Sequence, residues 1–373
     1  MKKYLIILPV IPHYRYQFYK QIVEHFSEVK ILAGKSQCIG PSSVKEAKNI
    51  AALNHDVICL MSHKIMWQKN VSIPKNFVRG DVVVLSGNPR ILSNYLVILS
   101  AKLRGIKIIW LGQGWTAGSN KTRHLIKRMV MSLCDSVVLY TEKESENTKL
   151  FLFGQKKVFF LNNTVETDRI FSVKSKIDSN MLQVFKNKTH LNDTKVILFV
   201  GRLEGKEKLS LLLDSFVNVC SIYRQVVLVV IGDGSYLPQY KTYAIKKNIN
   251  DKIRWIGGVY DEEALAYWFL SADFFVYPGA IGLSLLHAFS YGLPVVTHNN
   301  LDNHMPEIAA LKDKRNGMLF KENDENDLTN KIVSLLISND TRDNLSVNAL
   351  KIVTEKYTFE QMVSRFVNAL DKT

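Results

Sequence analysis

Short runs of apolar, largely β-branched residues recur along the chain, with spacers of helical length between them. In the first half the runs occupy residues 4–8, 29–32, 82–85, 106–110, 136–140 and 158–161. In the second half they occupy residues 195–200, 226–231, 253–257, 274–277, 294–297 and 317–320. Continuously apolar strands that alternate with amphipathic segments are typical of parallel sheets covered by helices on both faces. The pattern therefore predicts an α/β protein with two doubly wound, Rossmann-like domains of about six strands each.

The boundary between the two domains is expected just after the sixth apolar run. Asn162 and Asn163 follow that run, and residues 172–193 are polar and weakly periodic, as in a lead-in to a second domain. We expect one domain over residues 1–165 and a second over residues 166–356. Ligands of open α/β sheets bind beyond the carboxyl ends of the strands, so two facing sheets predict a cleft and place function in the loops after strands.

The net charge is unevenly distributed along the chain. The 373 residues include 49 Lys and Arg against 34 Asp and Glu, a formal charge of +15. Residues 1–165 hold 24 basic and 9 acidic residues, a difference of +15, whereas the remainder holds 25 of each. The asymmetry favours an anionic partner for the first domain alone, such as membrane phospholipid, a phosphorylated lipid acceptor or a nucleic acid.

Neither the cysteines nor the amino terminus indicates export. The chain has four cysteines, at Cys38, Cys59, Cys134 and Cys220. They show no C-x-x-C spacing, which argues against a zinc site or a disulfide framework and suits a reducing cytoplasm. The start superficially resembles a signal peptide, but Pro9 and Pro12 interrupt its short apolar run, so a buried strand is favoured. No apolar run reaches the roughly 18 residues of a spanning helix, and we expect a soluble or membrane-peripheral protein.

The loop after the first strand of the second domain concentrates positive charge. Gly201 turns the chain, Arg202 follows at once, and Lys206 and Lys208 precede a predicted helix. Arginine and lysine at a strand end beside a helix start suit a diphosphate, through charge-assisted hydrogen bonds and the helix dipole. A solvated basic turn without a ligand is the competing interpretation.

Two further loops of the second domain offer turns at strand ends. Residues 232–234 form a Gly-Asp-Gly turn in which Gly234 leaves room for a ligand, but the three-glycine spacing of a dinucleotide fingerprint is missing. The next loop contains Val259 and Tyr260 before a helix that starts near Asp261, and it is a reasonable seat for a nucleobase.

A third loop precedes a short apolar helix. Gly279, Ile281 and Gly282 lie before or at the start of that helix, and the backbone amides of Gly282 and Leu283 are placed to face a phosphate. One helical turn further on stands His287, whose imidazole can donate or accept a hydrogen bond.

Taken in order, these segments resemble the nucleotide-sugar-dependent glycosyltransferases of family 4, which are retaining enzymes of GT-B fold. The residues that carry the resemblance are VGRLEGKEKLSLLLDSF, VVLVVIGDGSYL, IRWIGGVYDEEALAYWFLSADFFVYPGAIGLSLLHAFSYGLPVVTHNN, PE and NGMLF. The resemblance implies two Rossmann-like domains that face each other, the first for the acceptor and the second for the nucleotide sugar. It also implies that residues 357–373 are a closing helix that packs back on the first domain.

The resemblance assigns catalytic roles to the basic loop. Arg202 would hold the donor diphosphate together with a lysine. The family usually has this lysine four residues after Gly-Arg-Leu, where this chain has Glu207. Lys206 and Lys208 flank that position, and either is a candidate.

The family also has two glutamates eight residues apart, and both are replaced here. The first, which contacts the donor sugar, falls on Gly279, and the second, which binds the ribose hydroxyls, falls on His287. An imidazole can hydrogen-bond a ribose or phosphate oxygen, and a core histidine bonded to a carbonyl is the alternative. Without a carboxylate at Gly279, amides or water would read the sugar hydroxyls, which implies an altered donor preference or lost activity.

Two loops of the first domain are candidates for the acceptor side. One offers His13, Tyr14 and Arg15 after the first strand, and the other offers Gln113 and Trp115. The segment after Trp115 is a basic amphipathic helix, which suits an anionic membrane surface as well as an ordinary solvated face. Related enzymes often have a histidine near Gln113, so no imidazole base is assigned.

The expected reaction needs neither a protein base nor a metal. In the front-face mechanism proposed for such retaining enzymes, the leaving diphosphate deprotonates the acceptor, and cations and amides stabilise its charge. No D-x-D motif occurs, so we expect no cofactor and no divalent ion. The expected partners are a UDP- or GDP-sugar, a lipid-linked or surface-polysaccharide acceptor of O-antigen or capsule type, and the inner face of the cell membrane.

Three other functions are compatible with parts of the pattern. A non-catalytic nucleotide-sugar-binding or scaffold protein of the same fold is permitted by the missing glutamates. A nucleotide-sugar epimerase would need acidic catalytic residues that this chain does not present. A nucleic-acid binder would explain the basic half, but no matching motif and little aromatic interleaving support it.

Overall fold

Two separate α/β units make up the molecule. The computed structural model describes residues 1–36, 42–61, 65–114, 121–149 and 157–373, without the side chains of residues 54, 55 and 121–124. One unit consists of Met1–Asn163 and Phe359–Thr373, and the other consists of Thr164–Thr358.

The first unit is built on parallel strands. Its strands are β1 (Tyr4–Leu8), β2 (Val29–Gly34), β3 (Ala52–His55), β4 (Val57–Leu60), β5 (Ile65–Gln68), β6 (Val82–Ser86), β7 (Lys107–Gly112), β8 (Ser136–Leu139) and β9 (Lys157–Phe160). Its helices are α1 (His13–His25), α2 (Ser93–Leu103), α3 (Lys121–Ser132) and α4 (Glu142–Lys149), with the final helix of the chain, given below. Among the described residues, seven strands pair in the order β3-β2-β1-β6-β7-β8-β9, and β4 and β5 form an antiparallel hairpin.

The second unit repeats this architecture. Its strands are β10 (Lys195–Val200), β11 (Val226–Ile231), β12 (Ile253–Gly257), β13 (Phe274–Val276), β14 (Val295–His298) and β15 (Gly317–Phe320). Its helices are α5 (Thr167–Lys176), α6 (Ser179–Thr189), α7 (Leu209–Ile222), α8 (Leu237–Lys246), α9 (Glu262–Ser271), α10 (Leu283–Ser290), α11 (Glu325–Ile337) and α12 (Asn339–Lys356), and α13 (Phe359–Lys372) returns to the first unit. The six strands are parallel, in the order β12-β11-β10-β13-β14-β15.

Helices cover both faces of each sheet. In the first unit, α1 and α13 pack against one face, where Phe18 and Phe366 have ring centroids 5.2 Å apart. On the other face, Val97 of α2 and Val130 of α3 share a core with Trp110. Because both faces of every central strand are buried, the strands are apolar throughout rather than alternating.

The predicted fold class is confirmed: all twelve apolar runs form strands of two parallel, helix-covered sheets. The strands β3, β4 and β5 were not predicted. The paired hairpin strands β4 and β5 are largely half-exposed, so their sequences lack the continuous apolar run of a central strand.

Two findings concern the expected environment. Cys59 in β4 is disulfide-bonded, whereas Cys134 and Cys220 are free, so the prediction of cysteines without a disulfide is wrong for Cys59. Across the described ranges, no helix combines the length and the apolarity that crossing a bilayer requires.

Candidate functional site

The second sheet reverses its winding between β10 and β13. Leu212 and Phe216 of α7, which follows β10, belong to the core on one face, whereas Leu285 and Phe289 of α10, which follows β13, belong to the core on the other. Adjacent strands whose helices leave to opposite faces open a crevice at their carboxyl ends, which is where ligands of such sheets bind. The loops after these two strands are therefore the centre of the candidate site.

Backbone hydrogen bonds join the loops around this crevice. The N–H of Leu203 donates to the carbonyl of Asp233 over 3.0 Å, which links the loops after β10 and β11. The N–H of Gly232 donates to the carbonyl of Gly257 over 2.8 Å, which links the loop after β11 to the end of β12. Three predicted ligand loops thus form one connected surface at the carboxyl edge of the sheet.

The close approach of a neighbouring loop explains why position 234 is a glycine, which is not the reason that the sequence suggested. A Cβ on Gly234 would stand 2.2 Å from the carbonyl oxygen of Leu203, far inside contact distance. The space that the absent side chain leaves is occupied by backbone of the neighbouring loop. Loop packing therefore requires a glycine at this position, and the contact of Gly234 with a donor stays a prediction.

Gly279 is required by a similar close approach. A Cβ at this position would lie 2.3 Å from the carbonyl oxygen of Lys206 and 2.6 Å from Cα of Glu207. The loop after β13 therefore rests directly on the loop after β10. A glutamate at Gly279 would need this contact to open, which gives a physical reason for its absence.

The cations of the basic loop have different environments. Arg202 and Lys206 are exposed to solvent. Lys208 has a left-handed backbone conformation (φ 54°), and its Nζ donates to Oε1 of Glu322 over 2.9 Å and to Oδ1 of Asn323 over 2.8 Å. Arg202 and Lys206 are thus open to an incoming anion, whereas Lys208 already has two acceptors.

Glu207 does not compete with these cations. Its side chain is buried, and its Oε1 accepts a hydrogen bond from the hydroxyl of Tyr240 over 2.7 Å. Its Oε2 accepts the N–H of Glu204 over 3.2 Å. The carboxylate is therefore directed toward α8, and the acidic residue at this position is tolerated beside a basic loop.

Two helices begin at the crevice without a capping side chain in the described structure. Lys208 precedes α7 and Gly282 precedes α10, and neither residue has a side-chain acceptor for a backbone N–H of its helix. The first N–H groups of a helix have no partner inside it, and the helix dipole adds partial positive charge at the same end. Ile281 is buried and Leu283 opens α10, and the contact of either residue with a donor stays a prediction.

His287 lies in a partly buried cluster on the α9 side of α10. Its Nε2 is 2.9 Å from Oε1 of Glu262, its ring stacks on Phe269 with centroids 4.4 Å apart, and the hydroxyl of Tyr291 donates to the same oxygen over 2.6 Å. Burial opposes ionisation of Glu262, but its bonds with His287 and Tyr291 outweigh burial and lower the pKa of Glu262. The partner of His287 is thus a carboxylate, and its contact with a donor stays a prediction.

A pair of histidines that sequence reasoning missed lies beside the glycine loop. The rings of His298 and His304 stack with centroids 3.7 Å apart. Nδ1 of His304 accepts the N–H of Ile281 over 3.1 Å, and Nε2 lies 2.8 Å from the carbonyl oxygen of His298. The available signal was two histidines six residues apart directly after a strand.

The bonds of His304 identify its protonation state. Since Nδ1 accepts a hydrogen bond, Nε2 must carry the proton that it donates to His298, so the ring is neutral. Burial lowers the pKa of His304 to about 4, and burial together with the neighbouring His304 lowers that of His298 to about 4.

Glu322 completes this edge of the site. Its carboxylate accepts hydrogen bonds from Lys208, Asn300 and Asn303. The bond from Lys208 is the main reason why the pKa of Glu322 falls to about 2. The carboxylate is therefore ionised at neutral pH and keeps Lys208 in place.

The predicted nucleobase loop lies at the start of α9. Val259 is half-buried against the core, whereas the ring of Tyr260 is 82% exposed. Asp261 caps α9, because its Oδ2 accepts the N–H of Ala264 over 3.1 Å. Tyr260 is thus an exposed aromatic surface beside the loop after β11.

The predicted acceptor residues are distributed differently from expectation. His13 and Tyr14 are exposed in the first turn of α1, but Arg15 is buried, with Nη2 donating to Oδ1 of Asn163 and its guanidinium 5.4 Å from the ring centroid of Tyr140. Packing of α13 over α1 buries Arg15 and gives it a structural role, and its assignment to the acceptor side stays a prediction. Gln113 is half-buried, and Trp115 lies outside the described residues.

Two adjacent helices of the first unit share an exposed apolar face. We define the α2/α3 face as the large apolar residues of these helices and of the turn after α3 that are more than 40% exposed. These residues are Leu96, Leu99, Leu103, Leu125, Ile126, Met129 and Leu133. Both helices pack on the same side of the sheet through one core, and α3 was the helix predicted to be basic and amphipathic. Single exposed leucines are ordinary, but a set of this size on neighbouring helices indicates an interaction surface.

Similarity to known proteins is concentrated in the second unit. Residues 182–352 match the family model for glycosyl transferases group 1. Over 171 residues the chain is 29% identical to alpha-monoglucosyldiacylglycerol synthase of Streptococcus pneumoniae, covering 44% of this chain and 37% of that protein, well under two thirds of its length. Over 332 residues it is 23% identical to an uncharacterized glycosyltransferase of Haemophilus influenzae, covering 88% and 86%.

Solved structures show the same fold at low identity. Alr3699/HepE of Anabaena, crystallised in complex with UDP, has a TM-score of 0.73 at 11% identity over 100% of both chains. A glycosyltransferase from Rickettsia africae has a TM-score of 0.72 at 14% identity, over 100% of this chain and 99% of that one. These likenesses agree with the two-sheet GT-B architecture.

Proposed function

We propose that this chain, whose residues 182–352 match the family model for glycosyl transferases group 1, transfers a sugar from a UDP- or GDP-sugar to a lipid-linked or cell-surface polysaccharide acceptor, with retention of configuration. The second unit would bind the donor and the first unit the acceptor. The α2/α3 face would hold the protein at the inner surface of the cell membrane.

One observation carries the donor proposal. At the winding reversal of the second sheet, two exposed cations, Arg202 and Lys206, adjoin the uncapped starts of α7 and α10. A diphosphate carries negative charge in a compact group, and free helix N–H groups together with arginine and lysine are the partners it prefers in proteins. The arrangement therefore suits the diphosphate of a nucleotide sugar better than a neutral ligand.

The same groups would serve the chemical step. As the bond between the sugar and the diphosphate breaks, negative charge grows on the leaving phosphate oxygens. Arg202, Lys206 and the amides of Gly282 and Leu283 would stabilise that charge, and the leaving diphosphate would accept the proton of the acceptor hydroxyl. Lys208 would stabilise this charge only from a greater distance, because its ammonium group is hydrogen-bonded to Glu322 and Asn323.

The nucleoside would lie across the loops after β11 and β12. Tyr260 offers an exposed ring for stacking on a base, and His287 would hydrogen-bond a ribose oxygen. Because position 279 is a glycine, it offers the donor sugar no carboxylate. Backbone amides and water would therefore hydrogen-bond the hydroxyls of the sugar.

The acceptor proposal rests on the first unit. Its residues up to 165 carry the whole net positive charge, and its α2/α3 face adds apolar side chains next to that charge. Basic and apolar groups together are the combination that binds anionic membranes, where lipid-linked acceptors are found. The similar protein of Streptococcus pneumoniae is named for synthesis of a glycosylated diacylglycerol, which favours a lipid acceptor here too.

A binding and turnover panel tests the donor proposal. UDP-Glc, UDP-Gal, UDP-GlcNAc, GDP-Man and GDP-Fuc are added singly to the wild type, to Arg202→Ala and to the control Arg224→Ala, another exposed arginine of the second unit. We expect a rise in Tm with donors of one base, which Arg202→Ala abolishes and Arg224→Ala preserves. No shift with any donor would contradict the proposal.

The alternative of a non-catalytic nucleotide-sugar-binding protein is separated by turnover. Radiolabelled donor is incubated with the wild type and a membrane lipid extract from a bacterium that builds surface polysaccharide. Transfer of label to the lipid fraction, lost in Arg202→Ala, would support the enzyme. Donor binding without transfer or release of the sugar would favour the non-catalytic protein.

A further inference from the structure

His298 is a buried side chain whose hydrogen-bonding capacity the protein leaves unused. It ends β14 and is 1% exposed, yet Nδ1 has no hydrogen-bond partner within the described part of the chain. Buried polar atoms are nearly always paired, and because Nδ1 is enclosed, Nε2 is the ring nitrogen left to meet a ligand. The ring is also held firmly, since it stacks on His304 and meets Phe320 edge-on at 6.4 Å.

The position of His298 places it at the candidate donor site. Side chains alternate along a strand, so His298 lies on the same side of the sheet as Val296, which packs in the core under α7. His298 pairs in register with Phe320 of β15, two residues before Glu322, and the carboxylate of Glu322 holds Lys208 at the start of α7. Its ring also stacks on His304, which accepts the N–H of Ile281 in the loop that precedes α10.

The neighbouring histidine ties this ring to the glycine loop. His304 accepts the N–H of Ile281 and donates to the carbonyl of His298, so one neutral imidazole connects the loop to the strand end. The loop, His304 and His298 are therefore one rigid array rather than three independent groups.

The tautomer of His298 follows from the cost of an unpaired atom. A buried N–H without an acceptor is rarer than an under-satisfied acceptor, so Nδ1 is the atom that carries the lone pair. Nε2 then carries the proton and is a neutral N–H donor. Burial and the adjacent His304 lower the pKa of His298 to about 4, so it remains neutral at physiological pH.

We propose that His298 is a donor-contact residue, which gives a hydrogen bond from its neutral ring N–H to a phosphate oxygen of the bound nucleotide sugar. The inference rests on the proposed function and adds a residue that the family resemblance does not assign. His304 is a positioning residue for it, because it fixes both the ring of His298 and the loop amide beside the phosphate.

Binding of nucleotides with and without phosphate tests the proposal. Calorimetry gives the Kd of the diphosphate (UDP or GDP, whichever the wild type binds) and of its nucleoside for the wild type, His298→Phe and His298→Gln. Phenylalanine keeps a stacking ring without a donor, and glutamine restores an N–H near the place of Nε2. We expect His298→Phe to weaken diphosphate binding about tenfold or more, as for one hydrogen bond to a charged group. Nucleoside binding should stay within twofold, and His298→Gln should recover part of the loss.

Each other outcome has a distinct meaning. Equal diphosphate affinity of His298→Phe and the wild type would overturn the proposal. An equal loss for diphosphate and nucleoside would also overturn it, because that pattern indicates a structural role. If the wild type binds no nucleotide at all, the proposed function fails, and the inference fails with it for that separate reason.

A spectroscopic measurement gives an independent readout. In protein labelled with ¹⁵N-histidine, the ring N–H signal absent from the His298→Phe spectrum identifies Nε2 of His298. We expect this signal to shift when the diphosphate is added and to stay in place when the nucleoside is added. A signal unmoved by saturating diphosphate would contradict the contact.

Discussion

Nε2 of His287 lies 2.9 Å from Oε1 of Glu262, so a histidine of α10 and a carboxylate from the first turn of α9 form one hydrogen-bonded pair. The pair is 16% and 15% exposed, and Phe269 covers the imidazole ring. Glu262 therefore sets the orientation of His287, since a carboxylate can only accept and Nε2 must donate to it. Any donor contact of His287 would use the other ring nitrogen.

Replacement of Glu262 tests this pair. In Glu262→Gln the carbonyl oxygen can still accept from His287 and Tyr291, but the negative charge of the acceptor is lost. We expect a loss of about 1–3 kcal/mol in the free energy of unfolding, measured with urea, because hydrogen bonds to a charged group are replaced. Glu263→Gln, the exposed neighbour in the same turn, should change stability by less than about 0.5 kcal/mol. Equal stability of both variants would show that the pair contributes nothing.

Gly279 should not tolerate any side chain. A Cβ would stand 2.3 Å from the carbonyl oxygen of Lys206, and backbone atoms cannot turn aside as a side chain can. We expect Gly279→Ala to destabilise the protein by about 1–3 kcal/mol, the range for overpacking. In the control Gly258→Ala, the new Cβ would meet only the side chains of Tyr260 and Asp233, at 3.2 Å or more, so Tm should change little. A Gly279→Ala variant as stable as the wild type would contradict the close contact.

The stacked histidines predict a specific pH dependence of stability. The pKa of His298 and of His304 is about 4 in the folded protein and about 6.5 when unfolded, so the unfolded state binds more protons between these values. Their contribution is complete above pH 6.5 and is lost as the pH falls toward 4, at about 1.4 kcal/mol per pKa unit for each ring. The carboxylate of Glu322 has a pKa of about 2, so it becomes protonated only at lower pH.

Urea unfolding at pH 7, 6, 5 and 4.5 measures this dependence. The double variant His298→Phe, His304→Phe should show a flatter fall in the urea midpoint over this range than the wild type. The control His190→Phe changes a histidine on the surface of the same unit and should keep the wild-type slope. Identical slopes for the double variant and the wild type would contradict the buried neutral pair.

The α2/α3 face should bind anionic membranes. We expect the wild type to sediment with vesicles of phosphatidylglycerol and phosphatidylcholine, and to release as salt rises, because its positive charge contributes to binding. Leu96→Gln, Leu99→Gln, Met129→Gln should lower the bound fraction severalfold, since three apolar side chains no longer insert. Ile222→Gln, Ile245→Gln, Ile337→Gln removes equally exposed apolar residues from the second unit and should bind as the wild type does. Equal binding of both triple variants would exclude this face.

Transfer should not depend on a divalent ion. The sequence has no D-x-D motif, and the proposed charge stabilisation uses Arg202, Lys206 and backbone amides. We expect turnover of the preferred donor to be the same, within about twofold, after dialysis against EDTA and after addition of Mg²⁺ or Mn²⁺. Loss of turnover with EDTA that Mn²⁺ restores would contradict this expectation.

The pattern of apolar residues was sufficient for the architecture. Strands buried on both faces must be apolar along their whole length, so the runs at 195–200 and 226–231 identified β10 and β11 from local information alone. The positions of Arg202 and of the loop before α10 at strand ends followed in the same way. The hairpin of β4 and β5 lacks such a run because its strands are only partly covered, and the sequence did not reveal it.

The directions of the side chains depended on contacts between distant segments. Glu207 stands next to two candidate lysines in sequence, but Tyr240 on α8 draws its carboxylate away from them. Arg15 follows two exposed residues of α1, but α13, more than 340 residues later, covers it. His304 reaches the amide of Ile281 only because the segment after β14 folds back over the glycine loop. Periodicity along the chain determined the strands and the loops at their ends, whereas long-range packing and hydrogen bonds decided which side chains those loops present.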